Sequence, residues 1–257
     1  MAEQLSLFVD EEAKVKDDFQ ISLNDKVDIK CGDIFLLGEH RLMCGDSTII
    51  EDVDKLMDGK KADMVFTDPP YGVNYKGIIN DEKKGLKKLL DDSFLNMKNN
   101  SKNGISVYCF HGDKNADIYN EIFRKYCYFS TMLIWKKSMT LSFSDYQSSH
   151  EPCLYGWFNN GTHIFYGDRK QTSILEYDKP LSIGHTTPKP IELIIKFIKN
   201  SSQKNGLVLD LFGGSGSTLI AAELTDRKCY MMELDPQYVD VIIRRYEYMF
   251  GKKAIKL

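Results

Sequence analysis

At 257 residues, with 42% hydrophobic and 28% charged side chains, the chain is long enough to bury a full core, which argues against a disordered, fibrous or disulfide-scaffolded protein. No signal-peptide pattern opens it and no apolar run approaches the ~20 residues that span a bilayer, so a soluble cytoplasmic protein with no membrane partner is expected. The net charge of −3 is uneven: residues 1–28 carry eight acids against three lysines, and the remainder is +2, which leaves room for a local basic face toward a polyanion. Six cysteines without a C-x-x-C pair predict reduced core thiols and no metal site.

Residues 1–26 are acidic and lack periodicity, predicting a flexible tail; the domain then runs over 27–250, with 251–257 as a C-terminal tail. Ile34 to Leu37 and His40 to Cys44 read as short strands around a Gly38-Glu39 turn. The second ends at Gly45-Asp46-Ser47, where spacing makes Asp46 the N-cap of a helix around 50–58.

Met64-Val65-Phe66-Thr67 has the character of a buried strand, and it runs into Asp68-Pro69-Pro70-Tyr71. In an open α/β sheet the carboxyl edge of such a strand faces the ligand crevice. Two prolines remove two N–H donors, which leaves the carbonyls before them available. The Asp68 carboxylate and the Pro69 carbonyl can each accept one hydrogen of an exocyclic –NH2 while Tyr71 stacks on the attached ring. Accepting both hydrogens favours the pyramidal nitrogen that attacks an electrophilic methyl, a stabilisation aimed at the transition state. The same four residues also suit a plain Pro-Pro turn capped by its aspartate, and only a second motif separates the two readings.

A polar stretch over 72–103 follows, with a net charge of +3 across 72–104. Lys83 to Lys98 reads as a helix with leucines at 86, 89, 90 and 95; its lysines, with Lys76 upstream, suit either a solvated face or phosphate contacts. A strand over Ile105 to Phe110, a helix over about 114–126 and a strand over Phe129 to Trp135 come next, the last ending in Lys136-Lys137. A loop over 138–150 leads through Glu151-Pro152 to an edge-type strand, Cys153 to Phe158, and then to an irregular polar segment over 159–187 that holds Arg169 and Lys170. Strands alternating with helices predict a largely parallel sheet covered on both faces.

Thr187-Pro188-Lys189-Pro190 opens an amphipathic helix over Ile191 to Asn200. The second motif comes next. Gly206 to Leu209 is a buried strand ending in Asp210, and Leu211-Phe212-Gly213-Gly214-Ser215-Gly216-Ser217-Thr218 turns into an Ala/Leu helix. Lys228 to Met232 is a further strand, ending in Glu233 and Leu234; an acid so placed accepts the ribose hydroxyls of an adenosine cofactor. The turn fits neither the pyrophosphate fingerprint nor a P-loop, so an adenosine cofactor without phosphates, S-adenosylmethionine, is expected.

Asp68-Pro69-Pro70-Tyr71 taken with Asp210 to Thr218 resembles the amino-methylating DNA methyltransferases, and the tetrad's place ahead of the glycine turn is the motif order of their permuted β class. Gly45-Asp46-Ser47, Trp135-Lys136-Lys137, His150-Glu151-Pro152 and His185-Thr186-Thr187-Pro188-Lys189-Pro190 carry the resemblance over about residues 32–248. It implies a single Rossmann-like S-adenosylmethionine-dependent domain with a mostly parallel seven-stranded sheet, helices on both faces and circularly permuted order. Asp68, Pro69, Pro70 and Tyr71 would hold the target base. Asp210, Phe212, Gly213, Gly214, Ser215, Gly216, Ser217, Thr218, Glu233 and Leu234 would bind the cofactor together with Asp68. Asp46 would meet its adenine amine, and Thr187 with Lys189 its carboxylate; here the chain has Thr186 and Pro188 where the family commonly shows Pro and Gln.

The resemblance implies methyl transfer to the N6 amine of a flipped-out adenine in double-stranded DNA, without metal or covalent intermediate, with N4 of cytosine as the alternative and a non-catalytic nucleic-acid-binding module behind it. Lys76, Lys83, Lys84, Lys136, Lys137, Arg169 and Lys170 are the expected DNA contacts. The recognition segments, 72–103, 136–150 and 159–187, are short enough to predict a site of about four base pairs. A homodimer and a cognate restriction endonuclease are partners that relatives suggest.

Overall fold

Strands covered on both faces must be apolar at nearly every position, and three of them organise this molecule. They are β3 (Ala62–Thr67), β8 (Leu207–Asp210) and β9 (Lys228–Glu233). Successive side chains point to opposite faces: Met64, Phe66, Val208, Cys229 and Met231 enter one core, while Ala62, Val65, Leu207, Leu209, Tyr230 and Met232 enter the other. The computed structural model describes residues 17–20, 22–24, 26–73, 83–137, 145–178 and 188–257.

The remaining strands are β1 (Ile34–Leu37), β2 (His40–Cys44), β4 (Ser101–Phe110), β5 (Cys127–Lys136), β6 (His150–Phe158), β7 (Ile174–Glu176) and β10 (Ile255–Lys256). They join one sheet in the order β10-β1-β2-β9-β8-β3-β4-β6-β5-β7. Helices α1 (Ile50–Met57), α2 (Lys83–Asn99) and α3 (Ala116–Tyr126) cover one face; α4 (Ile191–Ser201), α5 (Ser217–Glu223) and α6 (Pro236–Phe250) cover the other. Helices on both faces were expected, but the strand count was not. Among the described residues the sheet has ten strands rather than seven, because short strands β10 and β1 extend one edge and β7 the other. It is mixed rather than mostly parallel: β2, β9, β8, β3 and β4 run parallel, whereas β6 pairs antiparallel with both β4 and β5, and β1 with both β2 and β10.

Several local expectations change. The segment predicted as an edge strand is interior, since β6 lies between β4 and β5. The C-terminal tail ends in β10, which pairs with β1. The described part of the acidic N-terminal segment lies along α6: Tyr248 donates to Asp18, Phe19 packs on the Tyr248 ring, and Arg244 and Gln237 donate to the carbonyls of Ser22 and Asn24. In α2, Lys84 and Gly85 leave helical geometry, so the regular helix begins at Leu86. Cys31 is exposed, while the other five cysteines are buried, and all six are free. Among the described residues no helix is long and apolar enough to cross a membrane.

Candidate active site

In the parallel part of the sheet, β3 and β8 are neighbours, with Met64 opposite Val208 and Val65 opposite Leu209. The chain leaves β8 toward β9 on one side and β3 toward β4 on the other, so the crevice between their carboxyl ends is the topological switch point. Asp68-Pro69-Pro70-Tyr71 and the glycine turn 211–216 therefore leave adjacent strands at one edge, despite lying some 140 residues apart in sequence. Burial pushes Asp210 up to about 8, and the nearby Asp68 carboxylate adds to that rise.

The tetrad is held from the α3 side. Asn115 donates to the carbonyls of Tyr71 and Gly72 at 2.7 and 3.2 Å, and the Tyr119 hydroxyl donates to the carbonyl of Pro70. Gly112 lies against one side of the Tyr71 ring, where an added Cβ would come within 3.1 Å. The Tyr71 hydroxyl donates to Asp68 Oδ1 at 2.7 Å.

A buried ion network continues from there. Lys189 Nζ donates to Asp68 Oδ2 at 2.5 Å and to the Tyr71 hydroxyl at 3.2 Å, and it pairs with Glu151 Oε2 at 3.1 Å. Glu151 Oε1 in turn pairs with Lys137 Nζ at 2.6 Å. Two acids and two lysines from four separate segments thus make a neutral set. Burial would lower Lys189, but Asp68 and Glu151 outweigh it and raise its pKa. Burial would raise Glu151, yet Lys189 and Lys137 draw it down to about 2. Glu151 was not foreseen as a site residue; its signal in the sequence is an acid just before a proline at a strand start, beside the Lys-Lys end of the strand before it.

The glycine turn is built around Asp210. Its Oδ1 accepts from the Phe212 amide at 3.0 Å and its Oδ2 from the Thr218 hydroxyl at 2.6 Å, so Asp210 and Thr218 shape the turn from inside. Gly213 donates to the Met232 carbonyl at 2.8 Å, and a Cβ on it would meet the Met231 side chain. Gly214 has φ +52° and nothing within 4 Å of where a Cβ would be, which leaves open space beside its backbone. Glu233 accepts from the Gly214 amide at 2.7 Å and the Asp235 amide at 2.9 Å; burial pushes it up to about 7 against those bonds. Leu234 follows it at the strand end, its carbonyl facing the Cys44 thiol at 3.8 Å.

Asp46 reaches the same edge because β2 pairs with β9, Cys44 lies opposite Glu233, and Gly45 donates to the Glu233 carbonyl at 3.0 Å. Its side chain accepts from the Thr48 amide at 2.9 Å and hydroxyl at 2.8 Å; the N-cap of α1 is Ile49, not Asp46. The sheet edge therefore gathers the Asp68 carboxylate, the glycine turn and the Glu233 carboxylate beside it. The DNA methylase family matches residues 62–244, a stretch that takes in both the tetrad and the turn.

The chain belongs to the DNA methylase family. This methylase is 24% identical over 231 residues to the DNA adenine methyltransferase YhdJ of Escherichia coli strain K12, covering 75% of this chain and 79% of that one. It is 42% identical over 62 residues to the Type II methyltransferase M2.MboI of Moraxella bovis, 24% of this chain; the match spans only 23% of that enzyme. Among solved structures, the M1.HpyAVI–SAM complex has a TM-score of 0.63 at 18% identity, covering 79% of this chain and 97% of that one. The cytosine-N4-specific PvuII DNA methyltransferase has a TM-score of 0.62 at 16% identity, covering 81% and 86%. At these identities the structural likeness is one of fold.

The basic residues of the methylase separate into two groups. Lys83, Lys84, Arg169 and Lys170 are exposed, and Lys136, also exposed, pairs with Glu176 at 2.9 Å. Lys137, expected at the DNA surface, instead turns inward onto Glu151, with its side chain 12% exposed. Lys189, expected on a cofactor carboxylate, lies on Asp68 and Glu151. Lys76 and Thr187 lie outside the described residues. His150 opens β6, half-exposed and 3.8 Å from Asp113.

Proposed function

We propose that this DNA methylase is of the permuted β class and transfers a methyl group from S-adenosylmethionine to the N6 amine of an adenine flipped out of duplex DNA. The observation that carries the reading is the placement of Asp68 and the glycine turn on adjacent parallel strands at the switch point. The cofactor fits the turn on this structure's own geometry, because Gly214 leaves open the space a side chain would fill and Glu233 stands beside it. When bound, S-adenosylmethionine supplies an electrophilic methyl on a sulfonium.

The chain's residues do the rest. Phe212 and Gly213 to Gly216 line the methionine side, with Glu233 at the ribose and Asp46 toward the adenine. Asp68 and the Pro69 carbonyl accept the two hydrogens of the target amine and localise its lone pair. Both oxygens of Asp68 are already accepting, from Tyr71 and from Lys189, so the incoming amine takes over one of these bonds. When the Tyr71 ring turns to stack on the base it releases Oδ1, which couples base entry to unmasking of the carboxylate. Lys189 keeps the partly buried Asp68 and Glu151 counterbalanced throughout, and Thr187, two residues before it in sequence, is assigned by this reading to the cofactor carboxylate. Lys83, Lys84, Lys136, Arg169 and Lys170, with Lys76, contact phosphates along recognition segments 72–103, 136–150 and 159–187. A homodimer and a cognate endonuclease complete the proposed setting, the latter suggested by the Type II relative.

Methylation of cytosine N4 is the second reading, favoured by the likeness to the PvuII enzyme and by a carboxylate-carbonyl pair that suits either amine. Incubation with labelled S-adenosylmethionine and unmethylated duplex DNA, then digestion to nucleosides, separates them. Labelled N6-methyl-2′-deoxyadenosine supports the proposal, labelled N4-methyl-2′-deoxycytidine the second reading, and an unlabelled digest refutes both.

A further inference from the structure

Against the glycine turn, on its α6 side, lies a buried cation that takes no part in the proposed methyl transfer. Arg245 of α6 is 4% exposed and occupies the apolar stripe between Ile242 and Tyr246. Its Nη1 donates to the Ser215 carbonyl at 2.7 Å, the Ser215 hydroxyl at 3.3 Å and the Ser217 hydroxyl at 3.2 Å. Ile242 touches the same turn, since a Cβ on Gly216 would come within 3.0 Å of it. One helix thus supports three consecutive residues of the loop.

The counter-charge comes from outside the domain predicted by the sequence. Asp17 Oδ2 accepts from Arg245 Nε at 3.1 Å and from Nη2 as well. Among the described residues it is the one carboxylate paired with this guanidinium. Asp17 is fixed there by its neighbours in the chain: Tyr248 donates to Asp18, Arg244 stands 5.9 Å over the Phe19 ring, and Asn24 donates to Asp240 at 2.7 Å. A strap formed by residues 17–20 and 22–24 therefore runs back along α6 and ends on the residue that holds the turn.

We propose that Asp17 and Arg245 form a latch that positions the glycine turn for its cofactor, which makes the acidic N-terminal segment part of the cofactor site. A guanidinium left in an apolar stripe without its carboxylate draws toward solvent and releases the Ser215 carbonyl. The turn then loses the fixed geometry that leaves open space beside Gly214, and affinity falls without any change in the groups that meet the base. Asp17 and Arg245 are positioning residues, since Arg245 acts through its bonds to Ser215 and Ser217 and Asp17 through its pair with Arg245.

The latch rests on the turn being the cofactor loop, and the test keeps the two apart. Titration calorimetry of the full chain with S-adenosylmethionine is compared for wild type, Asp17→Asn and Asp17→Glu. Coupling between such sites is typically about 5- to 150-fold, and Asp17→Asn is expected to raise the Kd within that range while Asp17→Glu recovers most of it. In methylation assays the KM for cofactor rises alike, with kcat at saturating cofactor and the KM for DNA held within about twofold. Because coupling is reciprocal, S-adenosylmethionine also slows amide exchange over 17–24 in the unmutated protein. A wild type that binds no S-adenosylmethionine overturns the cofactor loop and the latch together. Binding by wild type with an unchanged Kd in Asp17→Asn, a loss confined to kcat, or exchange over 17–24 indifferent to the cofactor overturns the latch alone.

Discussion

Glu151 gives the sharpest test of the buried network, because its replacement by glutamine removes one charge and almost no volume. Lys189 and Lys137 overcome the cost of burial and draw its carboxyl from 4.5 to about 2. That displacement corresponds to about 3 kcal/mol of folding stability at neutral pH. With its side chain 16% exposed, solvent screening takes little from this figure. The independent expectation for breaking a buried pair by removing one partner is about 3–5 kcal/mol. Glu151→Gln should therefore lower the unfolding free energy by about 3 kcal/mol at pH 7. The pH dependence is the more searching part. A depressed carboxyl contributes stability that is complete above its unfolded value of 4.5 and lost as pH falls toward 2. Urea unfolding at a series of pH values should thus show the gap between wild type and Glu151→Gln shrinking by about half or more at pH 3. A gap absent at pH 7, or constant from pH 7 to pH 3, would refute the assignment of Glu151 as the counter-charge of the two lysines.

Three further perturbations address the parts around it. Asp68→Asn keeps the shape of the tetrad and removes a fixed acceptor, so kcat for DNA methylation should fall by about 10²–10³ while calorimetry shows cofactor still binding; a smaller loss in single-turnover rates counts against Asp68 as the amine acceptor. Asp210, pushed by burial from 3.8 to about 8, contributes stability that is full below its unfolded value and lost as pH rises through 8. Asp210→Asn does not titrate and should gain on wild type in melting temperature between pH 5 and pH 8, and parallel melting curves over that range would sink the claim. Lys83→Glu with Lys84→Glu should reduce the slope of log binding constant against log salt by nearly 2 if each lysine meets one phosphate; an unchanged slope in fluorescence anisotropy removes the start of α2 from the DNA surface.

Much of the crevice was legible because its two motifs are local. A buried strand ending in Asp-Pro-Pro-Tyr and a strand ending in Asp before a glycine turn each announce a sheet edge, and parallel strands place such edges on one side. Adjacency of β3 and β8 needed only the switch-point rule. The sheet's size was harder. Strand β10 is two residues long and β7 three, too short for period-2 alternation to register, so neither enters a strand count that rests on family resemblance. Strand β6 looked like an edge because Pro152 and Gly156 weaken a strand; it sits inside because the Pro152 carbonyl still accepts from His111 and because Gly156 lies within 3.1 Å or less of Tyr128 and Phe123 at its Cβ position.

The charged interior was the part that sequence hid, for a physical reason. An ion pair costs desolvation wherever its partners meet, and an acid at one strand start beside a Lys-Lys strand end does not reveal which lysine will be drawn inward. Lys136 is the last residue of β5 and Lys137 the first beyond it, so the two side chains leave the strand end in opposite directions. One pairs with Glu176 in solvent and the other with buried Glu151, and reading them as a basic dipeptide could not divide them. Arg245 is different, because helical periodicity does expose it. Tyr238, Val241, Ile242 and Tyr246 mark the buried stripe of α6, and an arginine in phase with them is a conflict between pattern and residue type. Such a conflict is resolved only by a carboxylate arriving from elsewhere. An acidic N-terminal segment is the richest source of one in this chain, which is why its aspartate ends up paired with the arginine that holds the glycine turn.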